Sequence, residues 1–152
     1  MAVYRFRVKA DWDPTSLWRD IRVGGERSLD KFQSTINRSM GLDQDHLWFF
    51  GPEEDFWNSE ITYVRPGSAE RDGFFGGPRE IDAGEVTVFE MVQQLGLDER
   101  DRICYLFDYG DEWRFYAILK EIDPDGDAKE EPIVVNEKGD KIDQYAQHDE
   151  YW

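Results

Sequence analysis

Hydrophobic and charged residues alternate in the first ten positions of the chain. Tyr4, Phe6 and Val8 fall on one side of an extended backbone, and basic residues fall between them. A period of two is typical of a strand that is buried on one face only. A second strand is predicted from Leu17 to Val23, and two glycines follow it.

A helical pattern comes next. Its apolar residues recur at helical spacing: Leu29, Phe32, Ile36 and Met40. Ser28 is predicted to cap the helix start, Asp30 suits the positive end of the helix dipole, and Gly41 ends the helix. Leu47 to Phe50 then predicts a third strand. The order of strand, strand, helix and strand resembles the start of a β-grasp fold.

The pattern weakens in the middle of the chain. One strand is predicted near Glu60 to Val64. The stretch from Arg65 to Gly84 contains five glycines and two prolines, so we interpret it as a loop or a lid. Long irregular loops in small domains are commonly functional. Phe74 and Phe75 lie in this stretch, and we expect them to pack on the core or to contact a partner.

A second helix is predicted by a capping box, in which Thr87 and Glu90 satisfy each other's backbone N–H groups. This helix runs to Leu95 and ends at Gly96. The glycine supplies the left-handed conformation in which many helices end.

The most regular part of the chain is a predicted hairpin. Its strands run from Ile103 to Phe107 and from Trp113 to Ile122, and its turn runs from Asp108 to Glu112. Four apolar residues of the second strand share one face: Trp113, Phe115, Ala117 and Leu119. We expect this hairpin to be the centre of the fold. Beyond it the chain is acidic and rich in turns, with an edge strand predicted from Ile133 to Val135.

These elements predict an α+β fold in a single domain, with a mixed or antiparallel sheet and two helices. The length of 152 residues suits one domain. We assign residues 1–122 to this domain. Residues 123–152 are interpreted as an acidic C-terminal extension that packs on the domain or trails from it.

The formal net charge of −16 argues against direct binding to nucleic acid. Binding to a phosphate backbone needs clustered Lys and Arg. The acidity has three interpretations, which are solubility in a salty cytoplasm, attraction of a basic partner, and mimicry of nucleic acid. Arg outnumbers Lys and Asp outnumbers Glu. This composition favours a halophilic source.

The cellular compartment is predicted from the cysteine content, the apolar runs and the N-terminal segment. Cys104 is the only cysteine, so no disulfide forms within the chain. It lies in an apolar run, where a free cysteine behaves as a small hydrophobic residue. No apolar run approaches the roughly 18–20 residues of a membrane span. The N-terminal segment is a strand rather than a signal peptide, and a cytoplasmic protein without membrane contact is expected.

The acidic turn of the hairpin is the main candidate site. Asp108, Asp111 and Glu112 lie beside Tyr109 and Trp113. Carboxylate oxygens suit Ca²⁺ or Mg²⁺, so a cation site or an acidic recognition pocket is one interpretation. The other is a tight turn in which the two Asp side chains bind backbone N–H groups and the glycine between them takes a positive φ. The turn interpretation is preferred.

His46 is a second candidate, because it follows two Asp residues at a helix-to-strand junction and imidazole titrates near neutral pH. The other histidine, His148, lies in the predicted tail. The spacing indicates no catalytic Ser/His/Asp or Cys/His set. The three aspartates from Asp123 to Asp127 do not fit a calcium loop, because its Gly and Glu positions are not matched. We predict no catalytic residue, no metal site and no cofactor.

Four basic residues compose a potential stripe on one sheet face: Arg5, Arg7, Lys9 and Arg22. Such a stripe in an acidic chain suits an acidic partner or a phosphate. The alternative, which we prefer, is pairing with Asp20 and other carboxylates across neighbouring strands.

Four motifs in order carry a resemblance to a known family: YRFRV at Tyr4–Val8, WRDIRV at Trp18–Val23, SLDKFQSTINRSMG followed by DQDHLWFF, and YLFDYGDEW at Tyr105–Trp113. They resemble the plasmid ORF-3-like family, named after a root-inducing plasmid. Some of its members carry the label of TnpR-like insertion-element passengers. The motifs span most of residues 3–122, and the last is the most specific.

The resemblance implies a compact α+β fold and no established catalytic activity. Relatives often carry a second His two positions after the one that matches His46, where this chain has Trp48. They also tend to carry a His shortly after the motif Trp, where this chain has Arg114 and Phe115. These departures weaken a His-based metal or acid–base role. The resolvase-like label is unsupported, since such a recombinase needs a Ser nucleophile among basic residues.

Three functions follow as hypotheses. The first is a non-enzymatic binding or adaptor domain that contacts a protein through aromatic residues of the hairpin, the Phe-bearing loop and the tail ending in Tyr151 and Trp152. The second is a metal- or small-ligand-binding enzyme, with a pocket between the hairpin and the loop. There His46, Asp108, Asp111 and Glu112 would converge. The third is an accessory protein of a mobile element or DNA transaction, which the charge balance disfavours.

Overall fold

The computed structural model describes residues 2–69 and 79–145. Two helices, α1 (Leu29–Met40) and α2 (Val88–Leu95), accompany eight strands. The strands are β1 (Val3–Ala10), β2 (Trp18–Gly24), β3 (Trp48–Gly51), β4 (Ile61–Val64), β5 (Arg79–Asp82), β6 (Arg102–Phe107), β7 (Trp113–Asp123) and β8 (Ile133–Lys138). A short 3-10 turn, Phe56–Asn58, lies between β3 and β4.

The strands form one mixed sheet in the order β5-β4-β3-β6-β7-β1-β2-β8. Its pairs are antiparallel except for β4 and β5, which are parallel. The predicted α+β single domain with two helices is therefore confirmed. The predicted order of strand, strand, helix and strand is also confirmed at the start of the chain.

Both helices cover one face of the sheet. Phe32 of α1 packs between Phe6 of β1 and Phe50 of β3, with ring centroids 5.0 and 5.7 Å apart. Met91 of α2 belongs to the same buried cluster. The spacing of apolar residues on the helices thus produced the expected core face. Within the described parts of the chain, neither helix is long and apolar enough to cross a bilayer.

The other face carries a smaller apolar cluster. It contains Phe49, Phe56, Val64, Cys104 and Leu106, which are buried. Adjacent residues of a strand point to opposite faces. This rule explains why Phe49 and Phe50 belong to different clusters.

The predicted hairpin is the pair β6 and β7, in the middle of the sheet order. Its register aligns Ile103 with Ala117 and Phe107 with Trp113. Burial alternates along β7 as predicted, with Phe115 and Leu119 completely buried. The central position expected from the sequence is confirmed.

Two predictions about local structure were wrong in part. The stretch from Arg65 to Gly84, interpreted as a loop, contains strand β5, which pairs with β4 from Ile61↔Arg79 onward. A short strand of this composition has no alternating pattern of its own, so its partner decides its structure.

Ser28 occupies the cap position of α1 but makes no side-chain cap hydrogen bond. The N–H of Leu29 donates instead to the carbonyl of Val86, at 2.8 Å.

The other helix boundaries are confirmed. Thr87 and Glu90 form the predicted capping box. Gly41 ends α1 with φ of 85° and Gly96 ends α2 with φ of 63°. A Cβ at Gly41 would lie 2.7 Å from the carbonyl oxygen of Ile142. This helix end therefore needs glycine for both conformation and space.

The segment after β7 contributes to the same sheet. Its loop is held to the end of β2 by hydrogen bonds from Gly24 N to Glu130 O and from Glu26 N to Ala128 O, both 2.8 Å. The edge strand predicted from Ile133 is confirmed as β8, which pairs with β2. Ile142 then donates its backbone N–H to Met40, beside the end of α1.

Candidate functional site at the tip of the central hairpin

The turn between β6 and β7 is organised by Asp108. Its Oδ1 accepts backbone N–H groups from Gly110 at 3.0 Å and Asp111 at 3.3 Å, and its carbonyl accepts from Glu112 at 2.6 Å. Its own N–H donates to Leu47 O, at 2.8 Å. Asp side chains commonly stabilise turns in this way. The structural role preferred for Asp108 therefore agrees with the geometry.

The backbone conformation of this turn was predicted wrongly. Positive φ occurs at Asp108 (67°) and Glu112 (53°), and not at Gly110. Asp tolerates the left-handed region because its short polar side chain makes local hydrogen bonds there. Asp108 makes such bonds, and this explains why the glycine is not the residue that carries the turn.

His46 lies on the helix-covered side of the tip. Its Nδ1 is 3.7 Å from Asp108 Oδ2, and its Nε2 is 3.9 Å from Asp43 Oδ1. The imidazole packs edge-on against Phe107, with centroids 5.7 Å apart. His46 and Asp108 are thus brought together as the sequence suggested.

Asp43 and Tyr145 complete this group, and neither was predicted as a site residue. The Tyr145 hydroxyl donates a hydrogen bond to Asp43 and lies 3.5 Å from His46 Nε2. That bond raises the pKa of Tyr145 to about 12. Burial alone would raise the pKa of Asp43, but hydrogen bonds from Tyr145, the Asp45 backbone and Gln144 lower it below its usual value. The contact with Tyr145 joins residues far apart in sequence.

Tyr109 and Glu112 lie on the opposite side of the tip. Tyr109 packs against Phe49 and Trp57, with centroid distances of 5.9 and 5.1 Å. Glu112 Oε1 accepts hydrogen bonds from Trp57 Nε1 at 3.0 Å and from Arg114 at 2.6 Å. The Arg114 and Trp57 hydrogen bonds lower the pKa of Glu112.

Trp113 packs against the core on the helix side of the sheet, the side on which His46 also lies. Its ring meets Trp12 edge-on at 5.4 Å, and Trp12 also contacts Phe115 at 5.4 Å. Trp12 is half-exposed and comes from the turn between β1 and β2. Sequence reasoning missed both Trp12 and Trp57, because only the tertiary structure carries them to the hairpin.

Of the four polar side chains predicted to converge, the described contacts bring together only His46 and Asp108. His46 and Asp108 are neighbours, but Glu112 is directed toward Trp57 and Arg114 on the other face. Hydrogen bonds from Trp57 and Arg114 hold the Glu112 carboxylate on that side, whereas the next residue, Trp113, packs on the helix side. In residues 2–69 and 79–145, no three His, Cys, Asp or Glu side chains are arranged to hold a metal ion.

The basic residues of β1 and β2 and the single cysteine were also considered from the sequence, and their contacts indicate structural roles. Arg7 Nε lies 2.7 Å and Arg5 lies 3.5 Å from Asp20, and Arg22 lies 3.3 Å from Glu130. Arg5 and Arg7 thus make the cross-strand pairing that was preferred over a free basic stripe, and Arg22 pairs with a residue of the loop before β8. Burial raises the pKa of the Cys104 thiol to about 11. A thiol of this kind is not a reactive one.

Four aromatic residues proposed from the sequence for binding lie outside the described residues. They are Phe74, Phe75, Tyr151 and Trp152. Their roles in binding stay predictions. His148 also lies outside the described residues.

Comparison with known proteins identifies the family of this chain by sequence and finds a similar fold in a solved structure. A sequence model described as plasmid pRiA4b ORF-3-like protein matches residues 2–144. No curated protein matches the chain. The crystal structure of a protein of unknown function from Methanosarcina mazei Go1 is similar, with a TM-score of 0.66 and 17% sequence identity. The similarity covers 93% of this chain and 73% of that protein, and at this identity it concerns the fold.

Proposed function

We propose that this chain, which belongs to the plasmid pRiA4b ORF-3-like family, is a non-enzymatic binding domain that docks a basic segment of a partner protein. The docking surface is the tip surface, which we define as Trp12, His46, Leu47, Trp57 and the turn residues 108–112. It extends around the end of the hairpin, with Trp12 on the helix side of the sheet and Trp57 on the opposite side. The family and the similar structure carry no established activity, so the argument rests on the surface itself.

The observation that carries the proposal is the pair of exposed indoles. Trp12 is 50% and Trp57 is 48% exposed, and Leu47 between them in the sequence is 43% exposed. Each of the three contacts the hairpin tip or its flanking residues. Tryptophan is enriched among the residues that contribute most to protein–protein binding.

Both indoles are held in place before any partner binds. Trp57 contacts Phe49 and Tyr109 and donates a hydrogen bond to Glu112. Trp12 packs against Trp113 and the buried Phe115. Side chains that are already ordered lose less entropy on binding, which favours affinity.

The negative charge of the tip surface indicates the kind of partner that it can bind. The tip surface contains three carboxylates in its turn, and Asp43 lies beside His46. An Arg or Lys of a partner would meet a carboxylate and the face of an indole at one place. A basic segment is therefore the complementary ligand.

The test uses a basic hexapeptide, Arg-Leu-Lys-Arg-Leu-Lys, and its acidic counterpart, Glu-Leu-Asp-Glu-Leu-Asp. We expect the basic peptide to shift the indole N–H resonances of Trp12 and Trp57 in NMR spectra. The double variant Trp12→Ala with Trp57→Ala should bind it at least about tenfold more weakly. The matched control, Val135→Ala, removes an exposed apolar side chain from β8 and should bind normally. Equal binding of both peptides, or unchanged binding by the double variant, would contradict the proposal.

A small polar ligand at His46 is the second candidate, favoured by the proximity of His46, Asp108 and Asp43. This group offers two carboxylates and an imidazole on one side of the tip. Titration with methylamine, a small cation at neutral pH, distinguishes it, since binding would shift the His46 ring resonances and leave the Trp57 indole unaffected.

We also propose that the acidity serves a salty cytoplasm. The excess of 34 acidic over 18 basic residues supports this interpretation, because mutual repulsion of carboxylates is screened by salt. The thermal unfolding midpoint should therefore rise when KCl increases from about 0.1 M to about 2 M. A midpoint that falls over this range would contradict a halophilic origin.

A further inference from the structure

A groove runs between helix α1 and the edge strand β8. Its volume is about 390 Å³. The residues that line it are Thr35, Arg38, Ser39, Pro132, Ile133, Val134, Glu137 and Lys141. Ile133 and Val134 of β8 thus border the same groove as Arg38 and Lys141. None of these residues belongs to the tip surface.

Among residues 2–69 and 79–145, strand β8 is the last strand of the sheet and pairs only with β2. A terminal strand presents backbone N–H and C=O groups on its free side, where another extended chain can pair. Natural edge strands are commonly protected by charged residues. The first half of β8 is instead apolar, and Ile133 and Val135 are 54% and 47% exposed.

The edge is held rigidly by a buried arginine. Arg19 is 1% exposed and donates hydrogen bonds to the carbonyls of Ser39, Lys138 and Gly139, at 2.8 to 3.0 Å. It therefore links β2, the end of α1 and the end of β8. A strand fixed in this way needs no ordering before it accepts a neighbour.

The charges at the groove are positive in a chain of strongly negative charge. Glu137, the acidic residue of the lining, lies 3.5 Å from the buried Arg19. Arg38 donates only to Thr35 Oγ1, at 3.5 Å, and neither Arg38 nor Lys141 has an ion pair among the described residues. Two cations that make no ion pair within the described part of the chain, beside an apolar groove, are complementary to carboxylates that flank an apolar side chain.

We propose that β8 accepts an extended acidic segment of a partner protein as a ninth strand. Backbone hydrogen bonds to the free edge supply affinity, as in other cases of strand addition. An apolar side chain of the segment enters the groove, and a carboxylate meets Arg38 and Lys141. A second copy of this chain is a poorer occupant, because its own β8 edge would bring another Arg38 and Lys141 toward the same two cations.

The test uses two peptides with the same apolar centre. The acidic probe is Glu-Glu-Val-Ile-Val-Ile-Glu-Glu, and the control is Lys-Lys-Val-Ile-Val-Ile-Lys-Lys. We expect the acidic probe to slow amide hydrogen exchange in β8 by at least about tenfold, because new backbone hydrogen bonds protect these amides. The control peptide should leave β8 exchange unchanged.

Two variants separate the contributions. Arg38→Glu with Lys141→Glu should weaken binding of the acidic probe at least about tenfold and strengthen that of the basic control. Val135→Lys places a charge on the edge and should also weaken the acidic probe. Circular dichroism establishes that each variant is folded. The double variant Trp12→Ala with Trp57→Ala should bind the acidic probe normally, which keeps this test independent of the tip surface.

Three results would overturn the proposal. One is equal protection of β8 by both peptides. Another is protection that survives both charge reversal and Val135→Lys. The third is a concentration-dependent dimer in which β8 is protected without any peptide, since a second copy would then be the occupant.

Discussion

The strands of the central hairpin and its tip use aromatic residues in opposite ways. Tyr105, Phe107 and Phe115 in the strands are completely buried, whereas Trp12 and Trp57 beside the tip are half-exposed. The strand rings stack within the core, and Tyr105 lies 4.7 Å from Phe50 and 5.8 Å from Phe115. Burial of such rings stabilises the fold. The tip rings leave half their surface available for a partner.

Polar groups follow the same division. The Tyr105 hydroxyl is buried, accepts a hydrogen bond from Gln33 at 2.8 Å and donates to Asn37 at 2.6 Å. Burial raises the pKa of Tyr105 well above its usual value, so this group stays neutral. At the tip, by contrast, Glu112 accepts the Trp57 N–H in an exposed position, and Asp108 accepts backbone N–H groups in a partly buried one. The strands of the hairpin thus bury their polar groups in the core, whereas its tip presents polar groups near the protein surface.

The largest expected difference between the two regions is in stability. Phe115→Ala should lower the free energy of unfolding by about 3–5 kcal/mol, because it leaves a cavity in a packed core. Trp57→Ala at the tip should cost less than about 2 kcal/mol, since half of its surface is already exposed. Chemical denaturation of both variants measures this. Equal losses would remove the distinction between strands and tip.

Loss of one buried hydroxyl should have the next largest effect. Tyr105→Phe leaves Gln33 and Asn37 without their shared partner, and we expect a loss of about 1–3 kcal/mol. The matched control is Tyr116→Phe, whose hydroxyl donates to Glu54 O at 3.2 Å in an exposed position. The control should change stability by less than about 0.5 kcal/mol. The prediction fails if the control is the more damaging change.

At the tip, Asp108→Ala should destabilise the turn by about 1–2 kcal/mol. It removes the acceptor of two backbone N–H groups and forces alanine into the left-handed region. Asp108→Asn keeps an acceptor oxygen and tolerates this conformation, so its loss should be smaller. Hydrogen exchange of the Gly110 and Asp111 amides reports the turn directly. Similar effects of both variants would show that the side-chain hydrogen bonds contribute little.

The smallest effect should be a pH dependence at the His46 side of the tip. The pKa of Asp43 is lowered in the folded chain. Its contribution to stability is therefore present above the usual Asp pKa of about 4 and is lost as pH falls through the lower folded value. The stability difference between wild type and Asp43→Asn should be largest near pH 6 and vanish in acid. A difference that grows as pH falls would contradict this sign.

Much of the secondary structure was predictable because its causes are local. The alternation in β1 and β7, the spacing in α1 and the capping box at Thr87 each depend on residues within a few positions. The family was also predictable, since its four motifs lie within the matched residues 2–144. The strand β5 was missed because Arg79–Asp82 becomes a strand only by pairing with β4.

The site was predictable only in part, for the same reason. Residues 108–113 were identified as a candidate because they form one short motif, and the role of Asp108 in the turn followed from its side-chain chemistry. Trp57 was not identified, because it lies 55 residues from Glu112 in the sequence and contacts it only in the folded chain. The direction of Glu112, away from His46, depends on the sheet face that it occupies.

For this protein the sequence by itself determined the helices, most strands, the central hairpin and the acidic turn, because short-range sterics and hydrogen bonds decide them. Tertiary structure decided that Trp12 and Trp57 meet this hairpin and that Glu112 and His46 lie on opposite sides of it. Those contacts join distant segments, and a segment's own residues do not reveal which strand will lie beside it. Nearby residues in the sequence thus determine the hairpin, whereas contacts between distant segments determine which side chains surround its tip.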